Sequence, residues 1–329
     1  MVKYILKRIV YIVFVLLLVT AFIFALFRSM PTDPVDLFLP PEVQATMHPY
    51  VLAITIAEIR ETMGLDRSNF AQYFYWLRAI VQGDFGISME TRQPVLDHVS
   101  APMLNTVVLN VISMFFVFLI TIPVGIRCAI KRGKTFDKAA LVSTIAGISI
   151  PGFLFALLLI VVFAVIFPIF PIFGMQPIVP AESGTFQWYL DRLYYMTLPL
   201  IALVLMGLPG MIRFIRSAMI DALNMDCVRT ARAKGLREKV VIYSHAFRNA
   251  LIPVITVMAG FFIGIFGGSM AIEITFAWRG MGTIMLTALQ LQDIGVLMAV
   301  TTFYALISFT VLLLLDVAYT IVDPRIKFD

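Results

Sequence analysis

The chain has 329 residues, 60% of them hydrophobic and 14% charged, with a mean hydropathy of +0.94. Soluble domains run near 45–50% apolar and about 25% charged, so a water-soluble protein is excluded and lipid must cover this surface. Two cysteines (Cys128, Cys227) and three histidines (His48, His98, His245) make neither a disulfide framework nor a metal set, and the net charge of +5 must be explained by position.

Six apolar spans are predicted in chain order. Ile9–Phe27 is long enough to cross about 30 Å of hydrocarbon. It exceeds a signal-peptide core, and Arg28-Ser-Met-Pro is no A-x-A cleavage site, so it is read as a retained first helix. Val107–Ile126 carries Asn110 and Pro123, and Ala139–Phe167 carries Pro151. Tyr194–Ile212 carries Pro199 and Pro209, Ala250–Ile272 is glycine-rich, and Val296–Val322 carries Asp316. The chain thus divides into the N-terminus with helix one (1–27), an outer segment (28–106), a core (107–322) and a tail (323–329).

Basic residues set the orientation. Three precede the first span, five lie in the loop at 127–138 and eight in the loop at 213–249, and Arg325 and Lys327 stand in the tail. The connections at 168–193 and 273–295 hold one each, Arg192 and Arg279. The positive-inside rule therefore places both termini and both basic loops in the cytoplasm. The positive excess is a topology signal with anionic lipid as its neighbour, and nucleic acid drops out as a partner.

The outer segment reads as a helical cap on the membrane surface, with a docking role for an external partner as an addition. Leu52, Ile56, Ile59 and Met63 recur at helical spacing before Gly64. Ser68 or Asn69 can cap a second helix whose Phe70, Tyr73, Phe74, Leu77 and Val81 share a face. A third short helix is expected to begin after Pro94.

Chemistry is sparse. Gly133-Lys134-Thr135 ends like a Walker A motif, but the glycine needed five positions earlier is Cys128, so the chain is not expected to hydrolyse nucleotide. Asp316 is the one ionisable residue clearly inside a span, thin support for ion coupling. Asn110 reads as a helix-to-helix hydrogen-bonder, with a place on the translocation pathway as the alternative. Gly260, Gly264 and Gly268 form a stripe for tight packing, with a pore lining or subunit interface as alternatives.

The loop at 213–249 is the most informative stretch. It reads as a helix leaving the membrane, a break at Gly235, and a second helix from about Arg237 to Asn249. Ala231 and Ala233 give a slim surface among Arg229, Arg232, Lys234 and Arg237. Such a helix either lies on anionic lipid or enters a groove on a cytoplasmic partner.

Asp226-Cys-Val-Arg-Thr-Ala-Arg-Ala-Lys-Gly-Leu236, with His245-Ala-Phe-Arg-Asn-Ala-Leu-Ile-Pro253, resembles the loop of ABC-importer permeases, specifically the dipeptide, oligopeptide, glutathione and nickel group. The general importer pattern opens with Glu-Ala-Ala, where this chain has Arg229-Thr230-Ala231, and Pro253 falls five residues late. Both deviations are shared by the peptide/nickel group. The similarity continues through Lys3–Ile9, Gly64-Leu-Asp, Gln72-Tyr73, Trp76-Leu77, Gly83-Asp-Phe-Gly86, Pro94-Val95, the stretch from Glu273 to Asp293, and the ending Asp323-Pro324-Arg325. Position 279 is Arg where the group often has Pro.

The resemblance implies an all-α polytopic membrane protein with six transmembrane helices, an outer helical segment between helices one and two, and a cytoplasmic coupling helix between helices four and five. It implies a non-catalytic B-type permease subunit in a bacterial or archaeal inner membrane. Its partners would be a homologous second permease in a heterodimer, two ABC ATPase subunits and an extracytoplasmic binding protein. The chain itself would hold no cofactor or metal, with ATP and Mg bound by the ATPases. Arg229, Thr230, Ala231, Arg232, Ala233, Lys234, Gly235 and Leu236 would make the ATPase contact, and Glu273, Trp278 and Asp293 would mark the outer face. Di- or oligopeptide is the expected substrate, with nickel chelates, glutathione or other small solutes as alternatives. The rivals from other classes are an ion-coupled secondary carrier and a non-transporting scaffold.

Overall fold

The computed structural model describes residues 2–29, 35, 39, 41–62 and 64–322, and every regular element among them is helical. The tail with Arg325 and Lys327, and the Asp323-Pro324-Arg325 ending, lie outside the described residues, as does the side chain of Asp316. In order the helices are α1 (Val2–Arg28), α2 (Pro41–Thr46), α3 (Pro49–Thr62), α4 (Asn69–Val81), α5 (Val95–Ile130), α6 (Thr135–Ser149) and α7 (Gly152–Ile160), which continues as a π segment to Ile166. Then come α8 (Phe186–Leu223), α9 (Asp226–Ala233), α10 (Glu238–Val240) with a π segment to Ala246, α11 (Phe247–Gly267), α12 (Met270–Thr275), α13 (Met281–Gln290) and α14 (Ile294–Val322).

Among the described residues four stretches are long and apolar enough to span a membrane: Leu6–Arg28, Val95–Ile130, Phe186–Leu223 and Ile294–Leu315. Two more crossings exist if each of two bent pairs is one span. These are Thr135–Ser149 with Gly152–Ile166, bent by 97°, and Glu238–Leu251 with Pro253–Gly267, bent by 49°. The predicted span Ala139–Phe167, which carries Pro151, is therefore two helices. Ile150 is extended (φ −91°, ψ 121°) and Pro151 starts the next helix, because a proline lacks the N–H and pushes the residue before it out of helical geometry.

Other boundaries move outward. The helix expected after Pro94 is the start of α5, which takes Pro102 and Pro123 without ending. Likewise α8 overruns Tyr194–Ile212 at both ends, with Thr185 Oγ1 capping it by accepting from Trp188 N. The fifth span closes early, at Gly267, because Gly268 takes a left-handed φ of +66° that ends the helix.

The chain forms two compact units, Met1–Ala101 with Ile284–Phe309, and Pro102–Thr283 with Thr310–Asp329. In the first, Ser68 caps α4 as expected, and Gly64 (φ +67°) closes the turn after α3. Of the predicted face of α4, Tyr73 and Leu77 are half-buried while Phe70, Phe74 and Val81 are exposed. Tyr73 donates to Leu17 O at 3.1 Å and rests, with Trp76, against Phe24 of α1.

In the second unit α8 is the axis. Val117, Met211, Ile215, Met219 and Ala222 share one buried core with Val228, Ala231, Val241 and Ala246. Glycines let the neighbouring helices approach: a Cβ at Gly125 would stand 2.7 Å from Ile215, and one at Gly147 2.9 Å from Pro209. A side chain at either position would force the helices apart.

Candidate functional site

The polar loop is built by α8 and its exit. Asn224 and Met225 break the chain out of α8, and α9 follows at once, so there are two breaks where the sequence reading has one. The second is the predicted one: Gly235 has φ +72°, and its N–H donates to Arg232 O at 2.9 Å, closing the end of α9. Arg232 then spans that turn to Glu238, Nη2 to Oε1 at 2.8 Å. Hydrogen bonds from Arg232 hold the Glu238 carboxyl below the usual carboxylate range, and Glu238 in turn raises the guanidinium.

Of the eight predicted contact residues, seven are exposed: Arg229, Thr230, Arg232, Ala233, Lys234, Gly235 and Leu236. Ala231 is not. It and Val228, one turn apart, are buried and anchor α9 to the core beneath. The slim surface assigned to Ala231 faces inward, because helical spacing puts positions 228 and 231 on the one face that the core covers.

A second cluster lies around Glu273, at 1% exposure. Its Oε1 accepts from Thr106 Oγ1 at 2.9 Å and its Oε2 from Thr283 N at 3.1 Å. Thr106 Oγ1 also accepts from Met281 N at 2.8 Å. Gly268, Gly280 and Gly282 crowd the carboxylate so closely that a Cβ on any of them would overlap it or its partners. Trp278 is buried on Leu109 and Met196, and Arg279 N donates to Met175 Sδ at 3.3 Å, a bond that proline at 279 could not make.

In the first unit Asp293 is buried too. Its Oδ1 caps α14 through Val296 N at 3.1 Å, while Oδ2 accepts from Ser88 Oγ at 2.7 Å, Met89 N at 2.8 Å and Glu90 N at 3.2 Å. Glu273, Trp278 and Asp293 thus have no side-chain surface for an external protein. Glu273 and Asp293 accept from backbone N–H groups around them, and Trp278 fills the core beside Leu109 and Met196.

Residues 121–328 match the family described as binding-protein-dependent transport system inner membrane component, and residues 1–115 match its N-terminal counterpart. Over its full length the chain is 34% identical to the oligopeptide transport system permease protein AppB of Bacillus subtilis, covering 100% of both. It is 33% identical to the glutathione transport system permease protein GsiC of Salmonella typhimurium and 32% to that of Escherichia coli K12, again covering 100% of each. The chain belongs to this permease family. It is a permease subunit of an ABC importer and an inner-membrane component of a system that depends on a binding protein. In fold it is similar to the inward-facing MetNI methionine ABC transporter, with a TM-score of 0.51 at 17% identity, covering 68% of this chain and 96% of that one.

Two further sequence expectations about the permease resolve differently. Asn110 does join helices, donating from α5 to Ile265 O of α11 at 2.9 Å. The glycine stripe is open on its Cβ side: among the described residues nothing lies within 4 Å of a would-be Cβ at Gly260 or Gly264, and Gly268 has left the helix to stand beside Glu273. Among the described residues no group of three or more His, Cys, Asp or Glu is placed to hold a metal.

Sequence reasoning missed Thr106 and the pairing of Asp137 with Arg216. Thr106 carried no signal, being one threonine at the edge of an apolar run. Asp137 did carry one, as the single acid in a loop with five basic residues.

Proposed function

We propose that the permease is the B-type half of a peptide importer, pairing with a homologous second permease, two ATPase subunits that bind ATP and Mg, and an extracytoplasmic binding protein. Both termini and the loop at 213–249 face the cytoplasm, on the strength of the basic-residue distribution. The observation that carries the coupling role is α9 itself. It is a short helix anchored inward by Val228 and Ala231, with Arg229, Thr230, Arg232 and Ala233 turned outward. That shape suits a groove on a cytoplasmic partner.

In this reading, closure of the ATPase pair on ATP pushes α9. Because α9 follows α8 across a two-residue turn, the push enters the bundle through α8 and changes the side to which the pathway opens. The open face at Gly260 and Gly264 offers close approach to the second permease or to the pathway between the two.

Peptide is the substrate class that the relatives favour, since an oligopeptide permease and permeases for the tripeptide glutathione match the whole chain at similar identity. The test is co-purification of the intact complex with its binding protein, followed by mass spectrometry of the released ligand. A short peptide supports the reading; a metal chelate or sugar overturns the substrate assignment while leaving the architecture standing.

A further inference from the structure

We infer that Asp137 and Arg216 form a clamp that makes α6 and the stem of the coupling helix move as one body, and that both are positioning residues for transport. The inference rests on reading α9 as the ATPase dock. Arg216 lies in the last turns of α8, just before α9. Its Nε donates to Asp137 Oδ1 at 2.5 Å and its Nη2 to Oδ2 at 2.8 Å, a two-pronged grip that fixes orientation as well as distance. Gly133 N donates to the same Oδ2 at 2.8 Å, so the loop between α5 and α6 is held by the same carboxylate.

The pair is enclosed, with side-chain exposures of 20% for Arg216 and 2% for Asp137. An enclosed ion pair adds little net stability over apolar packing, because desolvation offsets attraction. What it does supply is a fixed geometry between two helices. The place of the clamp supports a mechanical use. α6 touches α8 again at Gly147 and Pro209. Ten residues along α6 separate that contact from Asp137, roughly 15 Å of helix. Between these points α6 and α8 pack side by side, and the clamp is the directional polar tie that fixes their rotation at the loop-side end of that contact. Beside the clamp, a Cβ at Gly125 of α5 would meet Ile215 at 2.7 Å and Arg216 N at 3.3 Å, so a third helix is seated at the same level.

The test uses the full complex in proteoliposomes, with Cys128 and Cys227 replaced and spin labels at Val142→Cys on α6 and Ser217→Cys on α8, both exposed positions. Co-purification of the ATPases reports on the dock; the label distance reports on the clamp. With an intact clamp, the distance is the same at rest and after trapping with ATP and vanadate. In Asp137→Asn the ATPases still co-purify, the distance distribution shifts or broadens on trapping, and stimulation of ATP hydrolysis by the binding protein falls roughly fivefold or more. Arg216→Lys keeps the charge but loses the fork, and gives the same changes at smaller size, which serves if Asp137→Asn does not fold. A distribution identical to the unsubstituted complex in both variants overturns the inference. So does loss of ATPase co-purification, which would place the effect at the dock, whereas failure of the docking reading itself would show in the complex with the clamp intact.

Discussion

Thr106 and Glu273 stand 167 residues apart in the chain, and their side chains meet in a 2.9 Å hydrogen bond closed off from solvent. The bond ties α5 to the short helix α12, and three glycines are needed to admit it. Thr106→Val removes the donor to Glu273 and the acceptor for Met281 N together, and is expected to cost about 1–3 kcal/mol. Gly280→Ala pushes a methyl into the same space, at about 1–3 kcal/mol. Thermal unfolding of the detergent-solubilised permease measures both. No loss of melting temperature in either variant would show that the cluster is not a structural pin.

Ala231 and Ala233 separate folding from docking. Ala231→Trp puts an indole into the closed core beneath α9, so insertion or stability of the permease suffers first. Ala233 is exposed, so Ala233→Trp enters no closed core of this chain. It should leave the permease folded and abolish co-purification of the ATPases. Equal behaviour of the two variants in a pull-down with a parallel melting curve would refute the inward and outward assignment.

The Asp293 cluster predicts a local opening. Asp293→Ala removes the cap of α14 and leaves three donors at 88–90 without their acceptor, at about 1–3 kcal/mol in all. Limited proteolysis should then cut near Met89, where the unsubstituted permease resists.

Glycines 260 and 264 make the opposite prediction. A Cβ at either position has open space among the described residues, so Gly260→Ala or Gly264→Ala should leave the melting temperature of the isolated subunit unchanged. In the complex the same variants should weaken pairing with the second permease or block uptake. Normal assembly and normal uptake together would remove this face from both roles.

The turn at Gly235 carries a small pH dependence of defined sign. Glu238 has a lowered pKa, so its pair with Arg232 is complete above the ordinary carboxylate range and is lost as pH falls through the lowered value. Both partners are largely exposed, so the contribution is small. The protection that the pair gives Gly235 and Leu236 against hydrogen exchange should be constant across neutral pH and fall only in acid, and Glu238→Gln should remove it throughout.

The apolar spans, the break at Gly235 and the cap at Ser68 were legible because each rests on local chemistry: hydropathy over a long window, a left-handed glycine, a hydroxyl before a helix. The 97° bend was half legible. Pro151 marked the place, yet Pro102, Pro123, Pro199 and Pro209 sit inside helices that continue, and only neighbouring helices decide which proline breaks its span. The inward turn of Ala231 and the burial of Glu273 and Asp293 were not legible. A small residue suits a tight interior and a tight interface alike, and a carboxylate in a connection looks exposed until its distant donors, such as Thr106 and Ser88, are in place.

The most direct measurement of the coupling account is peptide uptake into proteoliposomes holding the permease, its partner subunits and the binding protein, with ATP on the ATPase side. The account predicts uptake that needs both ATP and the binding protein and is lost in Ala233→Trp, although that subunit still folds. Uptake driven by an ion gradient without ATP, or undiminished in Ala233→Trp, would contradict it.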